Sequence, residues 1–311
     1  MDIAKLAAEN KLLFYGLTPP KAHLPHQRLV EIAAIQRNRI EGLKVSGVVL
    51  YDIQDESQRV EDQRPFPFVK TVAPEVYSSE FLQASKPAII YHSVGQESSE
   101  QFTAWLQQFQ GSAIVLVGSP SSGQTPQLTL NQAYELKQKL APQIPLGGIV
   151  IPERHRKKGD EHLRVWKKMQ TGCSFFVSQC VYSSESTKNF LSDYHWHLRH
   201  YDADPVPIIF TLTPCGSAQT LRFMQWLGIA VPDWIQNELL FSGNSMLEKS
   251  IAICKSIAED LIRFCREKNL PFGFNIESVS IRKEEIEASV KLFESISGLL
   301  QESGETIEYA S

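Results

Sequence analysis

The fold is decided by the stretch Gly172-Cys173-Ser174-Phe175-Phe176-Val177-Ser178-Gln179. Its mostly apolar run predicts a fully buried parallel strand, because a strand that is covered on both faces needs apolar side chains on both. The run stops at Gln179, whose amide carries both a donor and an acceptor. At the carboxyl end of a buried strand, such a side chain either points into the crevice where α/β folds bind ligands or hydrogen-bonds a local loop.

Seven other apolar runs predict strands of the same kind. They cover residues 12–17, 45–51, 87–92, 113–118, 146–151, 206–212 and 272–276. Each is followed by at least one segment whose apolar residues recur at helical spacing. This alternation predicts a single (β/α)₈ TIM barrel with extra helices between strands 7 and 8, and an open doubly wound sheet is the alternative. No early strand is followed by the G-x-G-x-x-G pattern of dinucleotide-binding folds.

The composition is that of an ordinary globular protein, with 42% hydrophobic and 21% charged residues in 311. We predict one domain over residues 1–311, with a disordered polar tail at 302–311. A net charge of −4 gives no electrostatic footprint for nucleic acid or anionic lipid. The five cysteines are scattered without a C-x-x-C pair, and no apolar run approaches the length of a membrane span. These features predict a cytoplasmic protein with reduced thiols, without nucleic-acid or membrane partners.

In a barrel of this kind the active site lies at the carboxyl ends of the strands. The polar or aromatic residues at those ends are Tyr15, Asp52, His92, Ser119, Glu153, His155, Gln179 and Glu277. Each also has a structural explanation: His92 could be a satisfied buried histidine, Asp52 a helix cap, and Glu277 an ion-paired carboxylate. Their gathering at one end of the strands favours a functional mouth.

The predicted helix over 159–171 adds three charged residues. Glu161, Arg164 and Lys168 recur at helical spacing and therefore share one face. Surface ion pairs would explain this face equally well. The basic run 154–158 just before it predicts a solvated loop, and a nearby phosphate-bearing ligand is the alternative.

These residues carry a resemblance to a known family. The spacing Glu161-x-x-Arg164-x-x-x-Lys168-x-x-x-Gly172, followed by a strand that ends in Gln179, resembles the methylenetetrahydrofolate reductase family of flavin-dependent barrels. Stretches at 17–21, 152–155 and 228–234 are similar to that family in the same order along the chain. The resemblance implies an oxidoreductase that passes a hydride from NADH or NADPH to FAD and then to methylenetetrahydrofolate.

The resemblance also implies roles for individual residues. Gln179 would face the pterin of the folate, with Tyr15 as a second substrate contact. FAD would be held by His92, Ser119, His155, Glu161, Arg164 and Lys168. These residue types suit the ligands, because a diphosphate favours cations and a pterin edge offers paired donors and acceptors.

The sequence departs from the family at its two acids. Gly16 stands where the family has a proton-donating glutamate, and Ser119 stands where it has an aspartate near the flavin and folate. We expect Glu277 to replace the lost acid, with Asp52 as the second choice, since both follow strands that neighbour the first strand in a closed barrel. The alternative is a non-catalytic or flavin-free protein that binds a folate or pterin or transfers a one-carbon unit. The sequence leaves a homo-oligomer open.

Overall fold

The computed structural model describes residues 1–9, 12–55, 64–118 and 126–305. Eight parallel strands form a closed barrel in chain order, β1 to β8. They are β1 (Leu13–Leu17), β2 (Gly47–Leu50), β3 (Ala88–Ser93), β4 (Ala113–Val117), β5 (Leu146–Val150), β6 (Cys173–Cys180), β7 (Ile208–Leu212) and β8 (Phe272–Ile276). The predicted (β/α)₈ barrel is therefore confirmed.

The helices alternate with the strands. They are α1 (Ile3–Ala8), α2 (His26–Gly42), α3 (Pro74–Val76), α4 (Ser99–Gln108), α5 (Leu130–Leu140), α6 (Pro152–Lys158), α7 (Glu161–Gln170), α8 (Ser184–His200), α9 (Ala218–Trp226), α10 (Asp233–Phe241), α11 (Met246–Glu267) and α12 (Lys283–Glu305). α9, α10 and α11 all lie between β7 and β8, which confirms the predicted extra helices.

The strand that fixed the fold prediction has an irregular end. β6 pairs with β7 in parallel from Phe176 opposite Ile208, but the register shifts between Val177 and Cys180. The Ser178 hydroxyl fills this irregularity, because it accepts from the Thr211 amide at 2.9 Å and donates to the Gln179 carbonyl at 2.7 Å. A bulge of this kind turns the strand end and re-aims its side chains, and here it does so at Gln179.

The chain packs as two compact units. The larger pieces of the first are Tyr15–Ile149 and Lys167–Ser174, and those of the second are Asp2–Phe14, Val150–Trp166 and the chain from Phe175 onward. The first unit buries Tyr77 and Tyr134, and the second buries Phe210 and Phe274. All five cysteines are buried, as their apolar surroundings predict. The single domain over 1–311 stays a prediction.

One predicted loop is a helix. The basic run 154–158 lies in α6, which begins at Pro152 and ends before Gly159. Proline suits the first helical turn because its missing N–H would have no partner there. Gly159 has φ of 64°, the left-handed conformation that commonly ends a helix. The basic composition of residues 154–158 favoured a solvated loop, so the helix-boundary signals at Pro152 and Gly159 were not used in the prediction.

Two further points concern the chain ends and the membrane. α12 extends to Glu305 and so includes the first residues of the tail predicted at 302–311, while residues 306–311 lie outside the described part. Within the described residues, no helix has the length and apolar character that crossing a bilayer requires.

Candidate functional site

Asp52 and His92 both bond to neighbouring chain segments in the first unit. The Asp52 Oδ2 accepts from the Ser93 amide at 2.9 Å, which ties the end of β2 to the end of β3. The His92 Nε2 lies 2.7 Å from Glu97 Oε1, and its ring stacks on Trp105 with 3.7 Å between centroids. Both side chains thus have structural partners, and their predicted roles stay predictions.

Two other predicted residues belong to this unit. Tyr15 is buried in β1, with 1% of its surface exposed. Ser119 lies outside the described residues, so the structure gives no account of its predicted cofactor contact.

Gln179 lies half-buried at the irregular end of β6, in the second unit. Its Nε2 donates to the Leu227 carbonyl at 3.1 Å. Within the described residues, the side-chain oxygen of Gln179 takes no hydrogen bond, so this acceptor is available to a ligand. The Gln179 amide therefore has a local hydrogen-bond partner for its donor, and its acceptor is available to a ligand.

Glu277 is brought to the end of β6 by the next residue along that strand. The Cys180 thiol donates to Glu277 Oε1 at 3.1 Å, and the Glu277 amide donates to the Leu212 carbonyl at 3.1 Å. Burial raises the pKa of Cys180 far above its usual value, and the carboxyls of Glu277 and Glu153 add to the shift. The thiol is therefore protonated and serves as the donor.

Glu153 is a second acid at a strand end, to which the sequence analysis gave no catalytic role. It lies in the first turn of α6, directly after β5, with 8% of its surface exposed. Neither carboxyl oxygen has a hydrogen-bond partner among the described residues. Burial raises the pKa of Glu153 from 4.5 to about 8, although the nearby amides of Glu153 and Tyr182 lower it in part. A protonated carboxyl at neutral pH can donate a hydrogen bond or a proton.

Three of these residues interact, namely Glu153, Cys180 and Glu277, and together with Gln179, the strand residue before Cys180, we call them the Cys180 cluster. Cys180 follows Gln179 in the chain and donates a hydrogen bond to Glu277, and the charge of Glu153 raises its pKa. The cluster offers a neutral acid, a carboxylate acceptor and an amide at the ends of β5, β6 and β8. Sequence spacing could place each residue at a strand end, but the burial of Glu153 has no signal in the sequence.

The charged residues on one face of α7 contact other parts of the chain, although their spacing alone would also fit a solvent-exposed face. Glu161 is only 1% exposed, and its carboxylate accepts from the Ile151 amide at 2.8 Å and from Arg154 Nη1 at 3.3 Å. Arg164 Nε lies 3.6 Å from the same carboxylate. Lys168 Nζ donates to the Ile149 carbonyl at 2.6 Å. Glu161 therefore organises the turn between β5 and α7 from within.

His155 also has a partner in the helical layer. Its ring is 6% exposed, and its Nε2 lies 3.0 Å from Asp193 Oδ2 on α8. The ring of His162 lies edge-on to it, with 5.3 Å between centroids. His155 thus contacts residues of α7 and α8, and its predicted contact with a cofactor stays a prediction.

One solved structure is closely similar to this chain. It is an uncharacterized protein from Clostridium thermocellum that binds two copies of 5-methyl-5,6,7,8-tetrahydrofolic acid. The two sequences are 39% identical, and the alignment covers 96% of this chain and 99% of that one, with a TM-score of 0.83.

A distant match shows only the fold. An endoxylanase from a sugarcane soil metagenome is 9% identical, and the alignment covers 94% of this chain and 99% of that one, with a TM-score of 0.50. No family model matches the chain, and no curated protein matches it.

Proposed function

The chain belongs to the same family as the Clostridium thermocellum protein, and from this membership we propose that it binds a reduced folate of the 5-methyltetrahydrofolate class. The observation that carries the proposal is 39% identity over 96% of the chain to a protein with that ligand. The similarity spans both chains almost completely, so it is not confined to one part of the barrel. The resemblance of residues 161–179 to methylenetetrahydrofolate reductases supports the same class of ligand.

The Cys180 cluster suits the pterin end of such a molecule. A pterin presents N–H donors beside a carbonyl acceptor along one edge. Gln179 supplies a side-chain oxygen that has no partner in the described parts of the chain, and Glu277 supplies a carboxylate. A half-buried acceptor gains strength from its low-dielectric surroundings, so these groups give orientation as well as affinity.

Folate binding in this proposal needs no flavin. Two of the residues that the resemblance assigns to FAD have partners within the chain: Glu161 accepts from the Ile151 amide and Arg154, and Lys168 donates to the Ile149 carbonyl. These contacts occupy both side chains without a cofactor, which supports folate binding that does not depend on a flavin.

The experiment is a comparison of folate affinity between Gln179→Met and the wild type. Methionine keeps the length of the side chain and removes its acceptor and donor. We expect 5-methyltetrahydrofolate to bind roughly 10- to 100-fold more weakly, since a ligand hydrogen bond of this kind contributes about 1–3 kcal/mol. Isothermal titration calorimetry measures the affinity.

Gln225→Met is the matched control, because Gln225 is an exposed glutamine on α9 whose Nε2 bonds to Gln236 on the surface. Its affinity for the folate should equal that of the wild type. Equal affinities in all three proteins would remove Gln179 from the site.

Reduction of 5,10-methylenetetrahydrofolate by NADH or NADPH is the second candidate function, and the protonated carboxyl of Glu153 favours it. The acid would give its proton to N10 as the bond from the methylene carbon to N10 breaks, which leaves an iminium at N5. The nicotinamide hydride would then add to the methylene carbon, giving 5-methyltetrahydrofolate and the oxidised nucleotide. Glu153 regains its proton from water, so atoms and charge balance.

This second candidate predicts oxidation of NADH or NADPH that depends on methylenetetrahydrofolate. Glu153→Gln should lower the turnover roughly 10²- to 10⁴-fold, the usual contribution of a general acid. Glu277→Gln tests the acid that the sequence suggested. The absorbance of the reduced nucleotide measures the rate, with exposed Glu267→Gln as the control. If turnover stays unchanged in Glu153→Gln, Glu153 is not the proton donor.

A further inference from the structure

We infer that His155, His162 and Asp193 form a binding site for a divalent transition-metal ion, with Zn²⁺ as the ion that fits best. The site lies among α6, α7 and α8, outside the Cys180 cluster. It rests on its own residues and does not depend on the proposed folate binding.

The ligand atoms already lie near coordination distance of one another. One ligand atom from each of the three residues lies within 4.8 Å of the others. His155 Nε2 and Asp193 Oδ2 are 3.0 Å apart. Ligands of a tetrahedral zinc ion are roughly 3.3 Å apart, which follows from metal–ligand bonds of about 2.0–2.1 Å. The separations therefore have to close by at most roughly 1.5 Å to match tetrahedral coordination.

The cluster also contains nitrogen atoms without partners. His155 Nδ1, His162 Nδ1 and His197 Nε2 are buried, and none has a hydrogen bond within the described residues. Most buried polar side-chain atoms have a partner, so three such nitrogens in neighbouring rings are exceptional. His155 is itself more than nine-tenths buried, with 6% exposure. The cluster therefore holds more buried imidazole nitrogens than the described protein atoms satisfy, and a metal ion would take one nitrogen from each ligand ring.

Local structure explains why these residues meet. Gly159, with φ of 64°, ends α6 and lets the chain turn into α7, which brings His162 back beside His155. Asp193 and His197 are four residues apart on α8 and therefore project from the same helical face. The His197 ring lies 5.5 Å from the His162 ring, between centroids. His197 is thus placed as a neighbour that can orient a metal-bound imidazole.

The charge of the cluster suits a cation. Asp193 supplies a carboxylate with 54% of its side chain exposed, whereas His155 is buried.

The donor set selects the class of ion. Two imidazoles and one carboxylate suit Zn²⁺ and its neighbours in the first transition row, whereas Ca²⁺ and Mg²⁺ prefer oxygen ligands throughout. Three protein ligands leave a fourth tetrahedral position for water or a small anion. The exposed side of Asp193 gives the ion a path to the site.

The test uses the full-length, tag-free protein after treatment with a chelator. Co²⁺ serves as a coloured probe for the zinc site, and calorimetry measures Zn²⁺ directly. We expect one Co²⁺ per chain, with the visible bands of tetrahedral nitrogen and oxygen coordination, and full displacement by Zn²⁺. His162→Gln and Asp193→Asn should each weaken binding at least roughly 10-fold.

His200→Gln is the control, since His200 is an exposed histidine on α8 outside the cluster. It should bind both ions like the wild type, and circular dichroism should show that the variants are folded. Absence of cobalt bands, equal binding in the wild type and both cluster variants, or bands of thiolate coordination would each overturn the site. The last result would assign the metal to cysteines.

Discussion

At the scale of single residues, burial decides the chemistry of the candidate site. Glu153 and Glu277 are both glutamates that follow barrel strands, yet Glu277 accepts a hydrogen bond from Cys180 while neither oxygen of Glu153 has a partner among the described residues. The prediction that Glu277 is the acid used only its place after a strand that neighbours the first strand of the barrel. Hydrogen-bond partners and burial separate the two residues, and both depend on chain segments far away in sequence.

The raised pKa of Glu153 makes stability depend on pH. Between the usual value of 4.5 and the folded value of about 8, the native carboxyl keeps its proton while the unfolded one loses it. The native state binds more protons in this window, so stability falls as pH rises through it and stays low above it. From pH 5 to pH 8 the loss from this group should reach at least about 2 kcal/mol.

Glu153→Gln removes this titration and keeps the shape of the side chain. The variant should match the wild type near pH 5 and be more stable than it at pH 8. Urea denaturation at both pH values measures the free energy of unfolding. Glu267→Gln, a change at an exposed position of α11, should follow the wild-type curve. Parallel curves for Glu153→Gln and the wild type would show that Glu153 is ionised in the native protein.

At the scale of elements, the stretch that decides the fold depends on the glycine before it. Gly172 joins α7 to β6 with φ of 97°, a conformation that side chains with a Cβ rarely adopt. A Cβ at this position would lie 1.6 Å from Nε2 of Gln138 on α5. The glycine that the family spacing highlighted in the sequence is therefore required by the backbone.

Gly172→Ala should lower the free energy of unfolding by roughly 1–3 kcal/mol, through the strained backbone and the displaced Gln138 side chain. Gly298→Ala is the matched change in a regular helix, because Gly298 lies in α12 with nothing within 4 Å of its added Cβ. That variant should be unchanged or more stable by about 0.5–1 kcal/mol. Chemical denaturation compares the two. Equal stability of both variants would contradict the role of Gly172.

At the scale of the whole molecule, the barrel was predictable because its signal is repeated. Eight apolar runs with helical segments between them specify the barrel even when a single element is assigned wrongly. The segment predicted as a loop at 154–158 is helix α6, and this error changed no strand. The candidate site was predictable only as a set of strand ends. The partners of Glu161 and Lys168, and the isolation of Glu153, come from tertiary packing that no local pattern encodes.

The central proposal for the whole molecule is that the barrel binds a reduced folate without a flavin. The most direct measurement is a calorimetric titration of the purified protein with 5-methyltetrahydrofolate under reducing conditions, after a visible absorption spectrum of the same sample. We predict a colourless protein that binds the folate saturably, with a dissociation constant of roughly 1–10 μM, and the stoichiometry will show whether it takes two copies. The proposal would be contradicted if no saturable binding appeared up to about 1 mM folate, a concentration that corresponds to a binding free energy of roughly −4 kcal/mol.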